Sequence, residues 1–584
     1  MKNKLITYLQ NITNLQDINL STPPNPSMGD YAFAVFPLAK MEKKNPNQIA
    51  MDLKEKIQQN LPDFIEKVEQ IGPYLNFFLS KSSYAELLES ISTNLEKEEN
   101  KQKTIFIDYI WANVWKPLHI WHMCTPNLWQ AIINVFKKLW YNVISDSHIW
   151  DWGIIFWKLI VAYQNFWSEE KLKEDAVNHL FELYVKATQL EEEDPKWKEK
   201  YQEAFKKLSQ WDKEYINLWA LFTKESIKSM NKQLKKLNVK PQYNIWESFY
   251  EWLNLPKLED YPDLIWSMKD IVKELLDKKI ATKNPDNSVW VVFPENINLP
   301  STILQKRNWT HWYLASDLAA VKYRIHWWKP EKIIYFVDVR QSQHFKWVFA
   351  ISKLAWWTKW ITEPLEKEVE LIHAPNWFVK LKDGAMSTRK WKIIKLEDLL
   401  NEAIQRAKKI ILEKRENIDN DELNNLAEII WIWAIKYEYL RKNRELDIVF
   451  DWDQFMTFEG NSAPYIMYSY VRWLSILEKA DQDYKNKKFD PNKVFTTQEE
   501  KELIIKLSQY KDILEETAKN LYPHILANYL YELTKIFNNF YNNTPVLKET
   551  DEDKKLARLK LIDKTTKIIK DWFDILAIKL PQKM

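Results

Sequence analysis

At 584 residues the chain is too long for one domain, and a hydrophobic fraction of 46% is enough to build real cores. A net charge of +3 gives no global signal for nucleic acid, so any RNA-binding surface has to be a local patch. One cysteine, Cys124, excludes an intramolecular disulfide and any zinc site built on two or four thiolates, and it fits a reducing cytoplasm. Residues 1–20 lack the pattern of a signal peptide, and no apolar run is long enough to span a bilayer.

The N-terminal stretch reads as a helix over 1–20 with apolar positions Leu5, Leu9, Ile12 and Leu15. Pro23-Pro-Asn-Pro26 is a rigid break. Gly29-Asp-Tyr-Ala-Phe-Ala-Val-Phe36, a helix near 47–60 and a turn plus strand at 71–78 complete a small α+β unit over 1–80. A helix and a charged linker fill 80–103.

Residues 104–109 are β-branched and aromatic, hence a strand. A loop with Pro117 follows, then a helical pattern from about Leu118. His119 and His122 are three apart and share one face of its first turn. A helix N-terminus binds phosphate through free N–H groups and the helix dipole. Two imidazoles and Lys116 placed there can hold a triphosphate and stabilise charge on its α-phosphate.

Residues 140–146 read as turn plus strand, and 155–235 are helical and charged with a break at Pro195, an insertion between two halves of a nucleotide-binding fold. A short strand is expected at 289–293. Tyr313 and Asp317, four apart, face one way on a helix. The run 333–337 is a buried parallel-type strand with Gln341 and His344 at its C-terminal end, where α/β sheets bind ligands. Leu381-Lys-Asp-Gly-Ala-Met386-Ser387-Thr-Arg389-Lys390-Trp391 is a basic loop able to close over phosphates. From 401 onward the pattern is helical almost throughout, with aromatics beside Lys and Arg. Most of those aromatics belong to a core; Tyr465 and Tyr468 are candidates for stacking on RNA bases, and Arg558, Lys560 and Lys564 for phosphate contact.

Asn113 followed by Lys116-Pro-Leu-His119-Ile-Trp-His122 resembles the first signature of class I aminoacyl-tRNA synthetases in its arginyl form, and Met386-Ser-Thr-Arg389 resembles the second. His148-Ile-Trp-Asp-Trp-Gly153 and Glu247-Ser-Phe-Tyr250 resemble further segments of that family, and Phe458 to Arg472 the opening of its anticodon-binding domain. The resemblance implies a multidomain α/β chain: an N-terminal additional domain (1–80) that contacts the tRNA elbow, a Rossmann-type catalytic domain (104–400) with a helical insertion at about 155–250, a helical connector (401–454) and an all-α anticodon-binding domain (455–584). It implies ATP-dependent ligation of L-arginine to tRNA-Arg, with Mg²⁺ accompanying ATP, no zinc, no other metal site in the protein, and activation that needs tRNA. It places Lys116, His119, His122, Met386, Ser387, Arg389 and Lys390 in catalysis, and positions 119, 121, 122 and 387 at ATP. It places Asp108, Asn113, Tyr313, Asp317 and Gln341 at arginine, with Asp317 pairing with the guanidinium, whose planar fork of donors requires fixed acceptors. A cytoplasmic monomer with no membrane association is expected, and Met584 resembles the family's last residue.

The departures are specific. Asp108 is one methylene shorter than the family's usual Glu; Cys124 stands for Arg, Ala385 and Thr388 for Lys, and Trp121 for a Gly against which the nucleotide base lies. The chain has 5 Gly and 31 Trp, where ordinary usage would give roughly 41 glycines. Trp150, Trp246, Trp309, Trp391, Trp431 and Trp433 also fall where the family has Gly, whereas Trp152, Trp219 and Trp452 fall where it has Trp. The pattern implies a gene in which UGA specifies glycine, translated here as tryptophan; the plain alternative is a tryptophan-rich protein. Two other functional readings stay open: a different class I synthetase or nucleotidyltransferase, and a tRNA-binding relative that has lost catalysis, to which Cys124, Ser316 and Ala385 give support.

Overall fold

Four short strands form a parallel sheet in the order β4-β3-β1-β2: β1 Thr104–Tyr109, β2 Asn142–Ser147, β3 Lys332–Tyr335 and β4 Glu370–His373. The computed structural model describes all residues except 111–115, 152–153, 210–211, 252–259, 308–312, 363–364, 377–378, 382–394, 416, 456, 458–459, 481 and 582–584, and except the side chains of 121, 154–155, 205, 209, 361–362, 365–366, 381, 414, 453 and 482. A parallel strand is covered on both faces and has to be apolar on both. In β1 that holds for Ile105, Phe106, Ile107 and Tyr109, all buried; Asp108 is the exception and sits at the C-terminal end. Register sets Asp108 beside Asp146 on β2 and Tyr335 on β3. The strand order reverses direction between β1 and β3, the point where open α/β sheets offer a ligand crevice.

Three helices frame that crevice: α1 Ile120–Lys138, α2 Tyr313–Trp328 and α3 Ser342–Leu354. The insertion is four helices, Ile154–Phe166, Glu169–Glu193, Lys196–Ser209 and Lys213–Lys236, with Pro195 between the second and third. Where the sequence suggested one strand near 289–293, there is a three-stranded antiparallel sheet of Ala281–Lys283, Val289–Val291 and Thr302–Gln305. Its flanking strands are three and four residues long, too short to show a period of two.

The N-terminal unit is a four-stranded antiparallel sheet carrying helices Lys2–Thr13 and Pro46–Gln59. Its first helix is shorter than the apolar spacing suggested: Asn14 takes a left-handed φ of 57° and caps it, so Leu15 lies outside. The C-terminal third is helical, with Ala463–Lys479, Gln498–Ser508, Tyr510–Asn520, Pro523–Asn543 and Glu552–Ile575 packed around Trp473, Phe537 and Trp572. Arg558 is a correction to the sequence reading. It is 3% exposed, lies 2.7 Å from Glu500 Oε1 and donates to the Pro545 carbonyl at 2.7 Å, so it holds the bundle together and cannot meet phosphate. Lys564 donates to the Glu89 and Ile91 carbonyls at 3.1 and 2.6 Å, tying the bundle to the linker.

The bundle also grips the catalytic domain. Asn134 on α1 donates to the Ile575 carbonyl at 3.0 Å, and Lys138 and Tyr510 both reach Asp571. Lys436, fully buried, donates to the carbonyls of Leu237 (2.9 Å) and Ala577 (3.1 Å). One ammonium thereby caps the insertion's last helix and the chain's last helix, whose terminal carbonyls lack intrahelical donors.

Two helices end on tryptophans in the left-handed region, Trp140 (φ 67°) after α1 and Trp356 (φ 63°) after α3. Each closes a Schellman motif. Trp140 N–H bonds the Lys137 carbonyl and Tyr141 N–H the Phe136 carbonyl; Trp356 N–H bonds that of Lys353 and Trp357 N–H that of Ser352. That position favours glycine, because a Cβ there meets the backbone carbonyl. Lys101 lies 4.7 Å from the Trp140 ring and Lys359 4.4 Å from Trp356, contacts worth about 0.5 kcal/mol at exposed sites. Trp140→Gly and Trp356→Gly are each expected to raise stability by about 0.5–1 kcal/mol, read as an upward shift of the urea midpoint at constant slope. A downward shift would show that the indole contacts outweigh the strain.

Candidate active site

Lys116, Pro117 and Leu118 lead into α1, which His119 caps. The His119 backbone N–H donates to His122 Nδ1 at 3.1 Å, and the two rings lie 4.1 Å apart. Since Nδ1 accepts, the proton of neutral His122 sits on Nε2, available as a donor. Burial, with Lys116 adding to it, pushes His119 down to about 4. His122 is likewise pushed well below its ordinary value, by burial first and then by His119. Both imidazoles are therefore neutral near pH 7, and the positive charge at this helix start comes from Lys116 and the helix dipole. Burial also lowers the Lys116 pKa.

The segment that starts at Lys395 packs against this spot. Lys395 forms a β-bridge with His119, and the Leu396 N–H donates to the Leu118 carbonyl at 2.8 Å. The described chain thus resumes beside the histidines, at Lys395. Asn113, Met386, Ser387, Arg389 and Lys390, named from sequence, lie outside the described residues, as do Trp391 and the side chain of Trp121.

At the carboxyl ends of β1 and β2 lies a knot of buried charge. The Arg324 guanidinium on α2 has Nη1 2.7 Å from Asp108 Oδ2, and Nη2 donates to Asp146 Oδ2 at 2.8 Å; all three side chains have zero exposure. Burial works against the Arg324 charge, but Asp108 leads the groups that outweigh it and hold its pKa above the usual value. Burial pushes Asp146 up while Arg324 pulls it back. Asp108, named from sequence as an arginine ligand, is here the partner of the protein's own guanidinium.

Seven residues before Arg324, two turns back on the same face of α2, stands Asp317, 3% exposed. His344 Nε2 lies 2.6 Å from its Oδ2, and His148 Nε2 3.8 Å from its Oδ1. Among the described residues Oδ1 has no hydrogen-bond partner. Tyr313, 38% exposed, forms the open lip with its ring 4.6 Å from that of His344. Ser316 Oγ is 2.7 Å from the Tyr313 carbonyl and 3.2 Å from Glu247 Oε1. Glu247 is pushed up to about 8, by burial first and then by Asp151 and Asp317. Asp151 accepts from Ser248 N–H at 2.9 Å and Ser248 Oγ at 2.5 Å, and burial raises it to about 7. Gln341, half-buried, caps α3 one turn before His344.

Among the described residues, five acids (Asp108, Asp146, Asp151, Glu247 and Asp317) share this corner with the single guanidinium of Arg324. Burial lowers the pKa of His148, so it adds no charge near pH 7. Buried carboxylates need cations or protons, so the arrangement is suited to a cationic guest. Of the residues named from sequence for arginine, the structure places Tyr313 and Asp317 at this corner and Gln341 one turn before His344; Asp146, Arg324, His148 and Glu247 were not assigned to it. The signal for Arg324 was its spacing of seven from Asp317, in a stretch whose one other charged residue is Lys322.

Of the RNA candidates, Tyr468 is 58% exposed, whereas Tyr465 accepts from Asn538 at 2.9 Å and packs edge-on to Tyr531. Among the described residues no three His, Cys, Asp or Glu side chains form a metal cluster, and no helix is long and apolar enough to cross a membrane.

A parallel sheet with its switch point at β1 and β3, and two histidines at the helix start after β1, are the features of a class I tRNA synthetase catalytic domain. The family model described as the catalytic domain of class I tRNA synthetases of the arginine type matches residues 85–452. Models for the arginyl tRNA synthetase N-terminal domain and the DALR anticodon-binding domain match 1–79 and 466–584. An arginine–tRNA ligase of Fusobacterium nucleatum is 35% identical over 98% of this chain and 96% of that protein. One of Clostridium perfringens is 36% identical over 99% and 97%. The chain belongs to the arginyl-tRNA synthetases. Its fold is shared by the arginyl-tRNA synthetases of Plasmodium falciparum (TM-score 0.79, 23% identity, 100% of this chain and 99% of that one) and Thermus thermophilus (0.79, 22%, 100% and 99%).

Proposed function

We propose that this chain is an arginine–tRNA ligase. The α-carboxylate of arginine attacks the α-phosphate of ATP and pyrophosphate leaves; the 2′-hydroxyl of the terminal adenosine of tRNA-Arg then takes the arginyl group and AMP leaves. The observation that carries this reading is the excess of buried carboxylate around Asp317 at the sheet end that also bears His119 and His122. A positively charged amino acid is held beside a phosphate site. Neutral His119 and His122 donate hydrogen bonds to phosphate oxygens, and Lys116 with the loop 386–390 supplies charge as the α-phosphate becomes pentavalent. ATP, with the Mg²⁺ it carries, is a substrate. Asn113 and Gln341 serve the α-amino and carboxyl ends, Tyr313 walls the pocket, and Tyr465 and Tyr468 mark the anticodon side. The protein works in the cytoplasm as a monomer. The test is a charging panel: arginine alone among the amino acids should be attached to tRNA, with pyrophosphate exchange weak until tRNA is added. Charging with glutamate or cysteine would overturn the reading.

The identity of several tryptophans is part of the proposal: they are glycines in the protein as its own cell makes it. Trp140 and Trp356 occupy glycine conformations. Trp129 on α1 is fully buried with its ring centroid 3.2 Å from that of Phe336, closer than stacked aromatics settle. The indole N–H groups of buried Trp129 and Trp246 have no hydrogen-bond partner among the described residues, which costs about 1–3 kcal/mol each. At position 121 a glycine leaves the backbone open to the adenine. The chain with Trp121 and Trp391 is expected to charge poorly, and Trp121→Gly with Trp391→Gly to restore charging by at least tenfold, about 1.4 kcal/mol. Equal charging by the two forms, or a tryptophan mass for the native peptide over 116–123, would refute it.

A further inference from the structure

We propose that Lys395 is a further phosphate-contacting residue of the ligation: its ammonium, which rests on the Asn178 side chain of the insertion, transfers to the polyphosphate of ATP. The inference rests on the reading of His119, His122 and Lys116 as the phosphate site and adds to it a cation from a different part of the chain.

Lys395 stands where a lysine is poorly suited to folding. It is the N-cap of helix Leu396–Lys414, makes no side-chain cap, and sets a positive charge at the positive end of the helix dipole. Ser, Thr, Asp or Asn would accept there from the free N–H groups. A residue that breaks a local rule where the chain meets a site points to function. The backbone says which site. Lys395 and His119 form an antiparallel bridge, and the Leu396 N–H bonds the Leu118 carbonyl at 2.8 Å. Residues opposed in an antiparallel pair send their side chains to one face, with Cβ atoms about 4.5–5.5 Å apart. The Lys395 side chain therefore leaves the backbone on the face of the His119 imidazole, at the start of α1.

What holds the ammonium is neutral. Lys395 Nζ donates to Asn178 Oδ1 at 2.8 Å, and among the described residues no carboxylate lies within ion-pair distance, although Glu397 and Asp398 follow it in the chain. The Asn178 amide is set for this role. Asp175 accepts from the Asn178 N–H at 3.1 Å and from its Nδ2, so Oδ1 is the atom that faces Lys395. Asp175 is free of helical geometry to do so: helix Glu169–Glu193 breaks at it (φ −152°, ψ 89°) and starts again with Asp175 as the cap. The same stretch serves Lys116, whose ammonium lies 5.6 Å from the Tyr184 ring; Val177, next to Asn178, lines a small cavity with Lys116 and Leu118. Both lysines of the phosphate corner thus rest on one helix of the insertion. An ammonium has three donors, and one bond to an amide oxygen leaves two. Hydrogen bonds to an ionised acceptor are about twice as strong as those to a neutral one, so a phosphate oxygen arriving beside His119 outcompetes Asn178 for Lys395. A carboxylate partner would already match the charge, and the exchange would gain little. The sequence has use for such a cation, because Ala385 and Thr388 stand where related signatures carry lysine.

The experiment uses the full chain in the form that charges arginine, with Lys395→Met, Lys395→Arg, Asn178→Ala and, for comparison, Lys116→Met. KM for ATP is measured by charging in the presence of tRNA, and binding of ATP and of adenosine by calorimetry. K395M should keep its melting temperature and weaken ATP binding about tenfold, while adenosine, which offers no phosphate, binds within about twofold of the parent. K395R should retain most of the ATP affinity. N178A removes the resting place and keeps the cation, so it should lower KM for ATP by about twofold, opposite in direction to K395M. If N178A and K395M raise KM for ATP alike, Lys395 only ties the insertion to the helix that follows it, and the inference fails. It fails too if K116M weakens ATP binding and K395M does not, with the phosphate site itself left standing. If neither lysine matters to ATP, the phosphate site is misplaced and both readings fall.

Discussion

Arg324→Ala is expected to lower the unfolding free energy by about 3–5 kcal/mol, enough to leave most of the chain unfolded or insoluble at 37 °C. The guanidinium is wholly buried and serves two carboxylates that are themselves at zero exposure. Removing it leaves Asp108 and Asp146 facing each other across neighbouring strands with no cation between them. It also empties the space beside the rings of Phe106 and Tyr335, 4.9 and 5.5 Å from the guanidinium carbon. Water cannot easily replace it, because the sheet closes one side and α2 the other. The deficit should grow with pH. In the variant the two buried carboxylates take up protons that the unfolded chain has released, so folded pKa values lie above unfolded ones and stability falls as pH rises from about 4. Arg324→Ala with Asp108→Asn and Asp146→Asn should recover part of the loss, since it removes the unpaired charges and leaves only the cavity. Urea unfolding at pH 5 and pH 8 checks all three statements. A loss under 1 kcal/mol for the single variant would mean that the carboxylates find another partner.

This arrangement also shows what the sequence could and could not tell. β1 was legible because a both-faces-buried strand is a continuous apolar run, and the grouping of two histidines and a lysine at the start of α1 because they lie within seven residues. Tyr313 and Asp317 were legible from helical spacing. The partners that decide their chemistry were not. Arg324 and Asp146 are 178 residues apart, and Ser316 and Glu247 are 69 apart, with the insertion or the small sheet between them. No local period relates such positions; only closure of the sheet does. Exposure misleads in the same way. Arg558 and Lys564 are candidates for phosphate contact by sequence, yet one is sealed by Glu500 and the Pro545 carbonyl and the other by two linker carbonyls. Lys436, in a helix of apolar neighbours, gave no sign that it would cap two helices from distant parts of the chain.

The second large effect concerns the substrate. Asp317→Asn is expected to lower kcat/KM for arginine by about 10²–10³-fold, the cost of about 2.7–4 kcal/mol for breaking a desolvated charge pair from one side. The two oxygens of Asp317 have different duties. Oδ2 is taken by His344 at 2.6 Å, which fixes the rotamer, and Oδ1 has no hydrogen-bond partner among the described residues although the side chain is almost fully buried. A buried oxygen left without a donor is costly in the empty enzyme and becomes favourable once a guanidinium N–H fills the gap. Asparagine keeps the shape and removes the charge, and in one of its two orientations it turns an NH₂ toward the guanidinium. The loss should fall mainly on KM for arginine and on the ratio of arginine to citrulline charging. KM for ATP should stay within about twofold, because the proposed nucleotide groups, His119, His122 and Lys116, stand at the start of α1, whereas Asp317 and His344 stand on α2 and α3. His344→Ala should give a smaller loss of about tenfold, since it frees the rotamer and leaves the charge in place. If D317N instead raised KM for ATP and arginine alike, the residue would be acting through the fold of α2. If neither changed, the guanidinium would be read elsewhere, and the carboxylate excess at this sheet end would be matched by protons alone.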